Sequence, residues 1–316
     1  MPFRRSGTAL VALATLALSG CGAGSTSTPA APPGDAPLTV VTSTNVYGSI
    51  AQAVGGNRVT VTSLINDPAA DPHSYESTPA DAAKVTGANI VLYNGGGYDD
   101  FVPRLVQSAG GKAAVIDVTQ LSGLAPPEAS GSGAAPAAAP SFNEHFWYSL
   151  PTVQKVATQL ATDLGAADSA NAAQFTSNAQ AFNAKVADLL TKEQAIAAAH
   201  PGARVAITEP VPGYLVKAAG LDDVTPPAFT KAVEEDTDPP AVVLQQTLAL
   251  FTGDPVRALI LNAQTETPTT TQVAKAAQSA GVPVVKVTET LPAGVNDYVS
   301  WMGSEIDAVA NALNGR

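Results

Sequence analysis

From Pro37 onward, short β-branched runs alternate with longer Ala-rich stretches of helical composition. No other feature constrains the chain as strongly, because parallel strands need long crossovers and helices supply them, giving an α/β fold with largely parallel sheets. Two such blocks are legible. In the first, Leu38–Thr42, Val59–Ile65, Asn89–Tyr93 and Ala113–Val118 read as strands, with helices at Val46–Val54, Thr78–Val85 and Phe101–Ser108. In the second, strands are expected at Arg204–Thr208, Ala258–Leu261 and Val284–Thr288, and helices at Pro240–Phe251, Thr270–Ala280 and Val299–Leu313. No internal repeat of fixed period is visible.

Between the blocks, Phe175, Ala179, Phe182, Val186, Leu189 and Ile196 recur at helical spacing. The spacing predicts one long amphipathic helix over Asp168–His200, started by Asp168 or Ser169 and stopped by Pro201-Gly202; two shorter helices with a break are the alternative. A helix of about 30 residues runs roughly 45 Å, enough to traverse both blocks. The expected organisation is an N-terminal α/β lobe at 37–167, a linker helix at 168–200 and a C-terminal α/β lobe at 201–316. Low-complexity sequence at Ala125–Pro140 reads as a surface loop.

The amino terminus sets the compartment. Arg4 and Arg5 precede a small-residue apolar run from Thr8 to Gly20, then Leu18-Ser19-Gly20-Cys21, which resembles a bacterial lipobox. The pattern is that of a secretory signal over residues 1–20, with cleavage before Cys21 and lipidation of that thiol. At about 13 residues the run is too short to span a bilayer. Residues 21–36, rich in Ser, Thr, Pro, Ala and Gly, have the composition of a flexible tether. The chain is thus expected to be extracytoplasmic and lipid-anchored to the bacterial cell membrane.

Composition narrows the chemistry. The net charge is −11, and removing Arg4 and Arg5 leaves −13. A body this acidic does not track a phosphate backbone, so nucleic acid is excluded as a partner. One Cys and three His exclude a disulfide framework, a Cys-rich zinc finger and haem attachment. Any metal site must combine few imidazoles with carboxylates.

Ligands in open α/β sheets bind beyond the carboxyl ends of the strands. Four residues qualify there or just before a helix: His73 in the loop after Val59–Ile65, Glu209 after Arg204–Thr208, Glu289 after Val284–Thr288, and His145 ahead of a helix beginning near Pro151. Neutral imidazoles and ionised carboxylates suit Zn, Mn or Fe, so a cleft between the lobes could gather a metal site. The competing reading makes each a surface or satisfied core residue, since none belongs to a local H-E-x-x-H motif. His200 reads as part of the helix stop. Gly95-Gly96-Gly97 reads as a tight strand-to-helix turn, because it lacks the Walker Lys and the G-x-G-x-x-G spacing. The run Glu234-Glu235-Asp236-Thr237-Asp238 reads as a solvated loop and helix start, or as an auxiliary cation-collecting patch.

Taken in order, several segments resemble one family. The lipobox, Asp71-Pro72-His73-Ser74-Tyr75-Glu76 followed by Thr78-Pro79-Ala80-Asp81, the strand and glycine turn Asn89–Gly97, and Asn143-Glu144-His145-Phe146-Trp147 are similar to the cluster A-I solute-binding lipoproteins of zinc and manganese ABC importers. The likeness continues through Glu209, Glu234–Pro240 and the final strand with Glu289. It implies the TroA-like fold of two lobes joined by one long rigid helix, with a metal site of His73, His145, Glu209 and Glu289 in the inter-lobe cleft. It also implies a receptor and not an enzyme: capture of Zn2+ or Mn2+ as transported ligand outside the cytoplasm and delivery to an ABC permease, with a monomer as the default. Four departures bear on the metal. The third ligand is Glu209 rather than the His frequent in zinc-type members, the Ala125–Pro140 loop has no His, the fourth ligand is Glu289 where manganese-type members usually carry Asp, and Asn143-Glu144 stands where the family usually has Asp-Pro. Zn and Mn stay nearly level. A secreted metallohydrolase with Glu144 or Asp71 as base, and a metal-stabilised surface adhesin, are the alternatives.

Overall fold

The computed structural model describes residues 36–67, 70, 72–125 and 142–315. The signal segment at 1–20, Cys21, the tether up to residue 35, Asp71 and the low-complexity run at 126–140 lie outside the described residues. Among the described residues, no helix is long and apolar enough to cross a membrane.

The first sheet holds β1 (Leu38–Thr44), β2 (Val59–Ile65), β3 (Ile90–Tyr93) and β4 (Ala114–Asp117) in the order β2-β1-β3-β4, all parallel. Its helices are α1 (Asn45–Gly55), α2 (Pro79–Thr86), α3 (Phe101–Ser108) and the short α4 (Val118–Ser122). Then come α5 (Leu150–Ala167) and the long α6 (Ala172–Ala199). The second sheet repeats the order as β6-β5-β7-β8, with β5 (Arg204–Ile207), β6 (Asp222–Asp223), β7 (Ala258–Asn262) and β8 (Val284–Val287), again all parallel. Around it lie α7 (Gly213–Ala218), α8 (Pro227–Glu234), α9 (Ala241–Ala249), α10 (Pro268–Ser279) and α11 (Tyr298–Asn314). The two-lobe α/β architecture read from the sequence is therefore present.

Strand alternation explains how the sheets are covered. Val40, Ile90 and Leu92 belong to one apolar cluster while Val41 and Val91, pointing the other way, pack with Leu105 and Phe101 of α3. The second sheet behaves alike: Val205, Ile207 and Ile260 face one side, and Ala206 and Leu259 face Phe229, Val273 and Ala277 of α8 and α10. Successive residues of a strand point to opposite faces, and a sheet covered on both reads as an apolar run. The inner faces of both sheets share one continuous core with α5, α6 and α11.

The predicted linker is one unbroken helix of 28 residues, so the broken alternative is excluded. Its start differs from expectation. Residues Ser169–Asn171 form a 3-10 turn, and Asp168 uses its carboxylate on Asn171 Nδ2 (2.7 Å) and Arg58 (3.2 Å) instead of capping α6. Short elements escaped the periodicity: β6, α4, α7 and α8 span two to eight residues, too few to establish a period. Thr78 and Thr267 cap α2 and α10 through reciprocal capping boxes, which is why those helices begin at Pro79 and Pro268.

One position on the buried stripe of α6 is polar. Glu193 fills the place between Leu189 and Ile196, is 1% exposed, and its Oε1 has no hydrogen-bond partner among the described residues. Burial pushes its carboxyl up to about 8. A carboxyl raised in the folded state favours folding at low pH, and that contribution is lost as pH climbs from the ordinary glutamate value, about 4.3, toward 8. Replacement by an apolar side chain of similar length removes the penalty. Glu193→Met is expected to stabilise the fold by about 1–3 kcal/mol at pH 8 and by less at pH 5, measured by urea unfolding at both values. Equal gains at both pH values would show that the carboxyl does not titrate in this range.

Candidate metal centre

Most of the polar groups at the centre are delivered by the loops that follow strands or by the segment that leads into α5. After β2 the chain reaches His73; after β5, Thr208 and Glu209; β7 ends on Asn262; and after β8 come Thr288 and Glu289. His145, Glu209 and Glu289 are buried while His73 is the exposed member. All four line a cavity of about 260 Å³, joined on its wall by Glu234, Asp236, Gln264, Thr265 and Glu266.

Within it, His73, His145 and Glu289 each bring one donor atom to within 4.8 Å of the other two. Glu209 stands outside that triad but is coupled to it. The side-chain amide of Asn262 donates to Glu209 Oε2 at 2.6 Å and to Glu289 Oε1 at 2.7 Å, and Thr265 Oγ1 donates to Glu209 Oε1. Tyr98 Oη donates to the other oxygen of Glu289 at 3.1 Å. Gln264 accepts the backbone N–H groups of Glu289 and Thr290, which fixes the loop on which Glu289 stands.

His145 is oriented from behind. Asn143 Oδ1 accepts its backbone N–H at 3.0 Å and meets its Nδ1 at 2.8 Å, while Asn143 Nδ2 donates to Pro210 O in the second lobe at 2.8 Å. The amide is thus set by two kinds of partner, so Nδ1 carries the proton and Nε2 keeps its lone pair. This is the arrangement by which a metal-ligating imidazole is held. Gly213 makes room for it, since a Cβ there would stand 2.6 Å from Asn143 Nδ2. On the other side the glycine turn has the same purpose. Gly96 has φ of +69°, and a Cβ would meet Phe142 Cε1 at 2.7 Å. Asp99 pins the turn by accepting the N–H groups of Asn94 and Gly95 at 2.7 Å each, and Asn94 Nδ2 donates to Glu144 O at 2.9 Å. The tight-turn reading of Gly95–Gly97 therefore holds.

Electrostatically the cavity is short of positive charge. Burial, and then the nearness of His73, press the His145 imidazole well below its ordinary value, so it is neutral and able to donate to a cation. Burial raises Glu144 to about 7, and burial with the charges of Glu144, Glu209 and Glu289 raises Glu234 to about 8. Carboxylates crowded in a low-dielectric cavity hold protons that a divalent ion displaces.

Glu234 corrects the weighting of the acidic run. It ends α8, lines the cavity, and with Glu144 and His145 forms a second group of donors within 4.8 Å of one another. Sequence reasoning also passed over Asn262, although it ends a strand and the same rule would have selected it. Tyr98 carried no signal, because its partner Glu289 is remote in sequence, and Asn143, visible as a departure from the family's aspartate, gave no sign of its tie to Pro210. His200 stops α6 and its Nε2 meets Asn314 Oδ1 at 2.9 Å, far from the centre in role.

The sequence profile described as zinc-uptake complex component A, periplasmic, matches residues 40–312. The chain is 30% identical over 177 residues to the manganese-binding lipoprotein MntA of Bacillus subtilis, covering 55% of this chain and about half, 53%, of that protein. A manganese-binding lipoprotein MntA of Halalkalibacterium halodurans is 26% identical over 254 residues, 76% of this chain and 80% of that one. In fold the chain is similar to a Mn-bound mutant of the periplasmic metal binding protein of Candidatus Liberibacter asiaticus, with a TM-score of 0.71 at 20% identity over 87% of this chain and 99% of the other.

The orienting role of Asn143 is open to test. Asn143→Ala should leave the protein folded and weaken binding of a divalent ion by about 10- to 100-fold, read by competitive titration against a chelator. An unchanged dissociation constant would mean that the ring is held by its packing against Trp147 and Tyr98 alone.

Proposed function

We propose, from the premise that this chain belongs to the periplasmic zinc-uptake component A family, that it captures a divalent transition metal outside the cytoplasm and delivers it to an ABC permease. The observation that carries the reading is the convergence of His73, His145 and Glu289, with Glu209 on the same wall, on one cavity at the carboxyl ends of both sheets. The ion is cargo, not a resident cofactor. Family members are the binding components of metal uptake systems, and relatives named as manganese-binding lipoproteins and metal ABC transporter substrate-binding lipoproteins support transport over hydrolysis or adhesion.

In this reading the two imidazoles bind through neutral nitrogen, and Glu209 and Glu289 neutralise the charge of the ion. Asn262 keeps both carboxylates at the wall, so capture rearranges few groups. A site completed by protein donors leaves no position for a reacting water, which suits a carrier. Release then falls to the permease, which must separate donors belonging to different lobes. The ion is Zn2+ or Mn2+: the affinity order favours zinc, whereas the carboxylates favour harder manganese.

The remainder of the architecture follows as part of the proposal. Residues 1–20 are the signal peptide, lipid on Cys21 anchors the monomer to the membrane, residues 21–36 form the tether, and the lobes at 37–167 and 201–316 flank the helix at 168–200.

The deciding experiment is elemental analysis with competitive Zn2+ and Mn2+ titration on protein lacking residues 1–21. One tightly held ion per chain is expected, with loss of at least about 100-fold in affinity in a His73→Ala, Glu289→Ala double variant that retains its thermal transition. Undiminished binding in that variant would sink the assignment.

A further inference from the structure

The proposed quartet leaves two clustered carboxylates unused, Glu144 and Glu234, and of these Glu144 is the one beside His73. Glu144 directly precedes His145, and its carboxylate lies 3.9 Å from His73 Nε2 with a side chain only 12% exposed. Among the described residues no Lys or Arg forms an ion pair with it. A buried carboxylate without a cation is costly, and its only ionic neighbour among them is a histidine that itself lines the cavity.

Distance decides what Glu144 can reach. Two donors on one ion are separated by at most the sum of two bonds, roughly 4.2 Å for bonds of about 2.1 Å. The 3.9 Å between Glu144 Oε1 and His73 Nε2 falls inside that limit, so both can touch the same ion. The two donor groups also interlock: His73, His145 and Glu289 form one, Glu144, His145 and Glu234 the other, and His145 belongs to both. The placement is built in, since Asn94 Nδ2 holds Glu144 O and Asn143, one residue earlier, is tied to Pro210 O.

We propose that Glu144 is an additional oxygen donor to the captured ion and the residue that tilts the site toward Mn2+ over Zn2+. The inference rests on the metal-receptor reading above and names its metal class. Zinc is satisfied by four nitrogen and oxygen donors, so a fifth oxygen adds little. Manganese prefers oxygen-rich, higher-coordinate surroundings and gains from each extra carboxylate. With Glu144 the site offers two imidazoles and three carboxylates. Its acidity sits at a position where the family resemblance leads one to expect proline, so the preference is a property of this chain and not of the quartet.

The test is competitive titration of Mn2+ and Zn2+ on the chain lacking residues 1–21, in wild type, Glu144→Gln and Glu234→Gln. Glutamine keeps the shape, and a matched thermal transition confirms the fold. Glu234→Gln removes a carboxyl from the cavity wall without removing the group that faces His73, and so separates coordination by Glu144 from a general loss of acidity. In Glu144→Gln the ratio of the Mn2+ to the Zn2+ dissociation constant should rise about tenfold, through loss of manganese affinity, with an altered electron paramagnetic resonance spectrum of bound Mn2+. Glu234→Gln should change the ratio far less. An unchanged ratio in Glu144→Gln, or an equal shift in Glu234→Gln, overturns this proposal while leaving the receptor intact. A wild type that holds no ion overturns both.

Discussion

A single side-chain amide holds the centre together. Asn262 donates to Glu209 and to Glu289, carboxylates that would otherwise repel across a buried wall. The contact exists because of strand order: β7 lies between β5 and β8, so residues at or just past the ends of three neighbouring parallel strands stand side by side. Neighbouring strands are about 4.8 Å apart, the separation that lets an amide reach carboxylates on both flanks. Slipping either register by one residue would turn these side chains to the opposite face.

The first lobe meets this wall through groups that are tied to both lobes. Asn143 bonds His145 and Pro210, Tyr98 reaches Glu289, and Asn45 at the start of α1 clamps Leu291 through both its N–H (3.0 Å) and its carbonyl (3.1 Å). Beneath them the inner faces of the two sheets, α5, α6 and α11 form one core. A hinge motion that parted the lobes widely would expose that shared apolar surface, at roughly 25 cal/mol for each Å². Cargo exchange is therefore expected to work through loops at the cavity, with the helix and core as a fixed frame.

How far the sequence revealed this depended on range. The parallel sheets and α6 were legible because β-branched runs and a stripe from Phe175 to Ile196 repeat over many residues. Of the four proposed donors, His73, Glu209 and Glu289 were legible because open α/β folds place ligands beyond strand ends, and His145 because it precedes a helix. What stayed hidden was set by contacts across the fold. Glu234 looked like part of a solvated acidic run, since nothing local says that α8 ends at the cavity wall. Asn143 looked like a loss relative to the family's aspartate, yet its amide orients His145 with one atom and grips Pro210 with another, which a carboxylate could not do. Glu193 was invisible for the opposite reason: the apolar stripe around it is complete enough to read without it.

The Asn143-Glu144 pair can be understood as one exchange of charge. In an aspartate-proline pair the acid would lie behind the imidazole; here a neutral amide lies behind it and the acid stands one residue along, facing His73. An acid behind the ring makes the imidazole a stronger donor, which helps any ion that binds nitrogen well. An acid in front adds an oxygen and negative charge directly to the ion, which favours the harder one. The same number of carboxylates thus acts on a different bond. Because Glu144 is largely desolvated and adds to the negative charge that Glu234 meets from Glu209 and Glu289, that shift also raises the cost of the cavity without cargo, and a divalent cation relieves it more fully than a proton does.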